Sequence, residues 1–295
     1  MQIDPSEVGW KLLAPAVLLV ALGAFLAVAR LGRGRYRPPG YLGYFWIFLF
    51  ICVITDFFSF TPAVWLMALV SFRALREYFS LVDLRLEDRW GILGSYLSIP
   101  FMIYLIQIDW YGFFIVSIPV YVFIIVPFLV ALGESRGQGS LLSIGAIDFG
   151  LFFFVYCLGH IAYLAFFSTW LVLLFLLTVT GCKVAAALTA RQGRVAAFVL
   201  SCLICLALTL GLRSLTLVPT GPAIFLSFLV PVLVQMGDFT IDVLERDLGI
   251  SAEDLEPGRG HVLDSLKSFL FTAPIFFHYL RWIMKFGDEI TRHGY

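Results

Sequence analysis

The sequence predicts an all-α, polytopic integral membrane protein with about nine or ten transmembrane helices. Three observations carry this. Of 295 residues, 61% are hydrophobic and 14% charged, where a soluble domain carries about 25% charged residues. The apolar residues also fall in runs close to the roughly 20 residues that a helix needs to cross a bilayer. Finally, an aromatic share of 17%, with 30 Phe, suits lipid-facing helices better than the alternating strands of a barrel. Lys plus Arg number 20 and Asp plus Glu 20, so no positive surplus remains to hold a phosphate backbone, and nucleic acid is excluded as a partner.

In chain order the apolar runs are Leu12–Ala29, Tyr41–Thr55, Pro62–Phe72, Gly91–Ile106, Phe113–Leu132 and Gly145–Leu164. Phe166–Cys182, Val195–Leu212, Ala223–Met236 and Phe269–Ile283 follow. The first run ends in Ala27-Val28-Ala29, which imitates a leader cleavage site. It is long for a leader and many spans follow it, so it reads as a retained helix. Pro62–Phe72 is short and is expected to continue amphipathically through Arg73, Arg76 and Glu77, while Ala223–Met236 is expected to begin near Leu215.

Basic residues set the expected orientation, because cytoplasmic loops collect Lys and Arg. Arg30, Arg33, Arg35 and Arg37 crowd the first loop, Arg73, Arg76, Arg85 and Arg89 the third, and Arg136 sits in the fifth. Lys183, Arg191 and Arg194 fill the seventh, and Arg246, Arg259 and Lys267 the ninth. The alternate loops hold little more than Arg213. This alternation puts the N-terminus outside and the odd loops in the cytoplasm, as in a multi-pass protein of a cell inner membrane.

The chain reads as a single membrane domain, residues 1–295, with a polar, carboxylate-rich cytoplasmic segment at 237–268 before the last helix. If helix continues past Gly237, then Asp238, Asp242 and Glu245 fall at i, i+4 and i+7 on one face, where like charges need solvent or a cation between them. Pro257-Gly258-Arg259-Gly260 must be a turn, which could return Asp264 toward Asp238. One or two carboxylates beside substrate phosphates are what Mg²⁺ requires.

This segment resembles the C-terminal signature of the phosphatidate cytidylyltransferases (CDP-diacylglycerol synthases). That signature runs from Gly-Asp through Lys-Arg-Asp and a Leu-Pro-Gly-His-Gly-Gly turn to Leu-Asp-Arg-x-Asp-Ser and a last apolar span. The chain matches at Gly237, Asp238, Arg246, Asp247, Gly249, Pro257, Gly258, Gly260, Leu263, Asp264 and Ser268. Ala74-Leu75-Arg76-Glu77-Tyr78 is similar to a Leu-Arg-Glu-Tyr motif upstream. The resemblance implies an integral-membrane nucleotidyltransferase that moves CMP from CTP to phosphatidate with Mg²⁺, giving CDP-diacylglycerol and pyrophosphate. It implies Asp238, Asp264 and Asp247 as catalytic groups, Asp238, Asp264 and Glu245 on the metal, and Arg246, Arg259, His261, Gly258 and Gly260 at the substrates. The partners so implied are phosphatidate, CTP and the lipid bilayer, with a homodimer open.

The departures weaken that expectation of turnover. Lys-Arg-Asp is Glu245-Arg246-Asp247 here, the turn reads Arg259-Gly260-His261, and Asp-Arg-x-Asp is Asp264-Ser265-Leu266-Lys267. A Ser-Pro-x-Lys-Thr loop found earlier in the family is missing between Gln192-Gly193-Arg194 and the apolar VAAFVLSCL. A catalytically silent paralogue that binds phospholipid or partners an active synthase is the alternative. A transporter is a third reading, although the halves show no matched broken spans. Elsewhere, His160 and His278 suit hydrogen bonding between helices as well as function. Asp148 reads as interfacial and Glu77 as an i,i+4 partner of Arg73. Cys202-Leu-Ile-Cys205 lies mid-span without a nearby ligand, as plain apolar thiols do.

Overall fold

The computed structural model describes residues 40–57, 60–133, 139–249 and 260–284. The expected first span, Leu12–Ala29, and its arginine-rich loop lie outside them. The described residues are almost wholly helical, without a β-strand. Helices α1 (Gly40–Phe57) and α2 (Phe60–Leu81) come first, followed by a 3₁₀ turn at Leu86–Asp88 and α3 (Arg89–Gln107). Then α4 (Tyr111–Val116) runs through a π-helical turn, Ser117–Val122, into α5 (Phe123–Gly133). In the same way α6 (Ser140–Leu151) runs through Phe152–Cys157 into α7 (Leu158–Phe167). The series closes with α8 (Thr169–Leu188), α9 (Arg194–Gly211), the single turn α10 (Arg213–Thr216), α11 (Thr220–Asp247) and α12 (His261–Met284).

Six of these stretches are long and apolar enough to cross a membrane: 86–107, 111–133, 140–167, 169–188, 194–211 and 220–247. This is an all-α polytopic membrane protein. Its apolar surface agrees with that, since Phe128, Leu142, Val195, Leu203 and Trp282 stand exposed, as lipid-facing residues do. Sequence and structure part at three boundaries. Ser168, extended at φ −165°, divides α7 from α8, so the seventh span starts later than Phe166 and runs on to Leu188. The ninth span does not reach back to Leu215. Leu217 takes a left-handed φ of 56° and Pro219 is extended, so the chain turns there and α11 begins at Thr220. The polar segment that begins at Gly237 is not a loop at first, because α11 carries on through Asp247.

At the centre stands α12, which packs against α1, α2, α7, α8 and α11. Phe269, Phe276, Phe277 and Leu280 along it are buried, and the three Phe rings meet Phe48, Phe175 and Tyr163 edge-on or tilted. Each such aromatic side chain removes a large area from lipid or water, and tilted ring pairs add about 0.5–1.5 kcal/mol. Glu77 of α2, buried at 6% exposure, reaches beyond the i,i+4 pairing expected of it. Its Oε1 accepts the backbone N–H of Val262 at 2.7 Å. That N–H belongs to the first turn of α12, where helix donors lack internal partners and a carboxylate is favoured.

At the other end of the bundle the buried polar groups satisfy one another. His160 Nε2 lies 3.1 Å from His278 Nε2, and His278 Nδ1 lies 3.0 Å from the Tyr111 hydroxyl. Arg281 stacks on the Tyr111 ring at 3.5 Å, and Tyr163 donates to Asp109, which turns the chain at φ 53°. Asp148 is half-buried, and its Oδ2 is a buried acceptor without a hydrogen bond among the described residues.

Asp88 ties the 3₁₀ turn to α6. It accepts from the Arg85 guanidinium and backbone at 2.8 Å each and from Ser143 at 2.6 Å, with no exposed surface. Replacing Asp88 with Ala strands these donors, so the Asp88→Ala variant is expected to lose about 2 kcal/mol. A lowered thermal midpoint in detergent, read by fluorescence-detected size-exclusion chromatography, checks this, and an unchanged midpoint contradicts it.

Candidate functional site

The site lies where α8 and α11 end and α12 begins, beside the start of α1. Helix α11 continues past Gly237 because its remaining residues, DFTIDVLERD, hold no further Gly or Pro. That continuity puts Asp238, Asp242 and Glu245 along one face, as their spacing predicts. Gly237 is what lets α12 come close. A Cβ at Gly237 would stand 2.9 Å from the carbonyl oxygen of Lys267 and 3.0 Å from Phe271 Cβ. Gly260 then starts α12 with φ +83°, a conformation that glycine adopts without a Cβ penalty.

Two lysines organise the charges. Lys183, on the last turns of α8, donates to Asp238 Oδ2 at 2.8 Å, while Ser268 of α12 donates to Asp238 Oδ1 at 2.6 Å. Lys183 also lies 5.8 Å from the centre of the Tyr41 ring of α1. One turn further along, Lys267 of α12 sits among the rest. Its Nζ is 2.6 Å from Asp242, 2.5 Å from Asp264 and 3.8 Å from Glu245. Lys267 itself is 7% exposed. An ammonium can be buried so deeply only when carboxylates replace its water. Glu245 is 8% exposed, and its second oxygen, Oε1, is buried without a hydrogen bond among the described residues.

The residues singled out in the sequence therefore divide. Asp238 belongs to the Lys183 pair, whereas Asp264 and Glu245 belong to the Lys267 cluster. Asp247 is exposed at the end of α11, and Arg246 is exposed with its Nε donating to the Asp242 carbonyl one turn back at 3.0 Å. His261 opens α12, where its carbonyl accepts from Ser265 at 2.5 Å and its ring lies close to Gly40 of α1. Pro257, Gly258 and Arg259 lie outside the described residues. The donor set expected for Mg²⁺ does not fit the described residues. No group of three or more His, Cys, Asp or Glu among them is arranged to hold a metal ion, and the carboxylates expected on it face lysine ammonium groups instead.

Beside the charges opens a groove of about 520 Å³ between α8, α9 and α11. Phe198, Val232, Met236 and Phe239 supply apolar wall, and Arg194, Asp238 and Asp242 line the same space. Helix α9 gives the groove an outer wall and is otherwise little buried, with only Ser201, Cys205 and Thr209 fully inside. Sequence reasoning missed three contributors here: Lys267 as the centre of the cluster, Ser268 as a donor to Asp238, and Glu77 as the anchor of α12. The Leu-Arg-Glu-Tyr similarity marked Glu77 but gave it no role.

A family model described as the cytidylyltransferase family matches residues 190–283, which span the groove's outer wall and the carboxylate-bearing helices. The uncharacterized protein YnbB of Escherichia coli (strain K12) is 30% identical over 238 residues, covering 73% of this chain and 78% of that protein. No solved structure matches.

Because a Cβ at Gly237 would strike the α12 backbone, the Gly237→Ala variant is expected to push α11 and α12 apart by a few tenths of an ångström. The hydrogen bond between Ser268 and Asp238 and the Lys267 cluster should loosen with it. A loss of about 1–3 kcal/mol, the range for overpacking, should appear in the thermal midpoint. A variant as stable as wild type would contradict the close approach.

Proposed function

The chain belongs to the cytidylyltransferase family, and we propose that it acts on phosphatidate in the membrane, with CTP as the donor of CMP. The supporting observation is the groove, whose apolar wall runs along α9 and α11 and whose polar end meets the Lys183–Asp238 pair. A lipid phosphate monoester has this division of apolar chain and charged head. In the proposed reaction a phosphate oxygen of phosphatidate attacks the α-phosphorus of CTP. The new P–O bond gives CDP-diacylglycerol, and the bond between the α- and β-phosphates breaks to release pyrophosphate.

In this reading Arg194 and Lys183 hold phosphate oxygens, which charge-assisted contacts favour by about 1.5–3 kcal/mol each. Asp238 positions Lys183, and Ser268 fixes Asp238 in turn. Arg246 would add phosphate contacts from the end of α11, and Arg259 is expected to add another. No step is assigned to a metal ion.

A second reading has its own observation. The Lys267 cluster spends its carboxylates on a side chain of the protein, which favours a family member that binds a phospholipid without turning it over.

Reconstituted protein incubated with phosphatidate and labelled CTP separates the two readings. Slow formation of CDP-diacylglycerol is expected, with the Asp238→Asn variant about tenfold or more slower, since a tenfold loss needs only about 1.4 kcal/mol. Absence of product while phosphatidate still binds would select the lipid-binding reading.

We propose that the site faces the cytoplasm from a cell inner membrane, since nucleoside triphosphate is available there and cytoplasmic loops collect basic residues. In a background with the five cysteines replaced, Ser251→Cys is expected to react only with a reagent that crosses the membrane. Labelling from outside intact cells would overturn the orientation.

A further inference from the structure

Lys267 differs from an ordinary ion-pair partner in what it touches. An ammonium has three donors, and here three carboxylates drawn from two helices surround it. Asp242 and Glu245 come from α11 and Asp264 from α12. The charges do not balance within the cluster, since three carboxylates face one ammonium. The buried Glu245 Oε1, without a hydrogen bond among the described residues, marks the surplus on the acceptor side. Carboxylate oxygens that converge in this way from separate helices are what a hard cation gathers, at about 2.0–2.6 Å for Mg²⁺ or Ca²⁺. The Nζ atom stands at that point of convergence, 2.5 and 2.6 Å from two of the oxygens.

We infer that the Lys267 ammonium is the resident cation of this cluster, tethered where a divalent ion would otherwise sit between α11 and α12. One side chain of the protein thus occupies the centre of the cluster and keeps it from being a metal site. Its meaning for cytidylyl transfer rests on the function proposed above, but metal binding can be measured without turnover, so the two can fail separately.

The test uses the full chain in detergent, with Mn²⁺ as the probe and the electron paramagnetic resonance signal of free Mn²⁺ as the readout. Wild type is expected to take up no Mn²⁺ in a manner that depends on Asp264, up to about 1 mM. The Lys267→Asp and Lys267→Gln variants are expected to bind one Mn²⁺ about tenfold or more tightly than wild type. Adding Asp264→Asn to either should abolish that gain, which separates the cluster from carboxylates elsewhere. Lys267→Gln keeps much of the shape of the side chain and carries the test if Lys267→Asp does not stay monodisperse. A rise in its thermal midpoint on adding Mn²⁺ is the second measurement. Wild-type uptake of one Mn²⁺ that Asp264→Asn removes would overturn the inference. So would folded Lys267 variants that bind no more tightly than wild type.

Discussion

An ammonium that is nine-tenths buried between two helices has lost nearly all its water, and the rest of this site follows from that one fact. The loss is tolerable only if carboxylates stand in for the solvent, so α11 must extend past the apolar part of its sequence to present Asp242 and Glu245. Helix α12 must present Asp264 one turn before Lys267, and the two helices must meet closely enough for all of them to converge. Gly237 supplies the closeness. Glu77 then fixes the start of α12 by accepting the Val262 N–H, which sets the height at which Lys267 enters the cluster. Breaking such a buried arrangement by removing one partner is far more costly than its net contribution to stability.

The same principle governs the far end of the bundle with different chemistry. There the polar groups are imidazole, phenol and guanidinium, and they form a chain from His160 through His278 and Tyr111 to Arg281. In a helix bundle surrounded by lipid, a polar side chain that faces inward needs a partner inside. Each end of the protein meets that need with residues of α12, which carries His278 and Arg281 at one end and Asp264 and Lys267 at the other.

Much of this was legible in the sequence where the governing contacts are local. Apolar runs gave the helices, and the i, i+4, i+7 spacing of Asp238, Asp242 and Glu245 gave their common face because helix geometry alone decides it. Contacts between distant residues were not legible. Lys267 read as the loss of an acid, since nothing in its neighbourhood shows that Asp242, 25 positions away, would meet it. Glu77 and Val262 stand 185 positions apart, and a nearer arginine offered Glu77 a simpler partner. The helix boundaries near Leu217 and Ser168 were missed for another reason. They depend on single backbone angles within sequence that is apolar on both sides, where periodicity carries no mark.

The anchoring of α12 by Glu77 also bears on how the protein is made. Helix α2 leaves the ribosome long before α12, so the acceptor waits in the membrane for a donor that arrives much later. Until then Asp242 and Glu245 have no Lys267 to face. The Lys267 cluster is thus complete only once the final described helix is in place. A chain stopped before residue 260 would keep Lys183, Asp238 and the residues that line the groove, but would lack Ser268, Asp264 and Lys267.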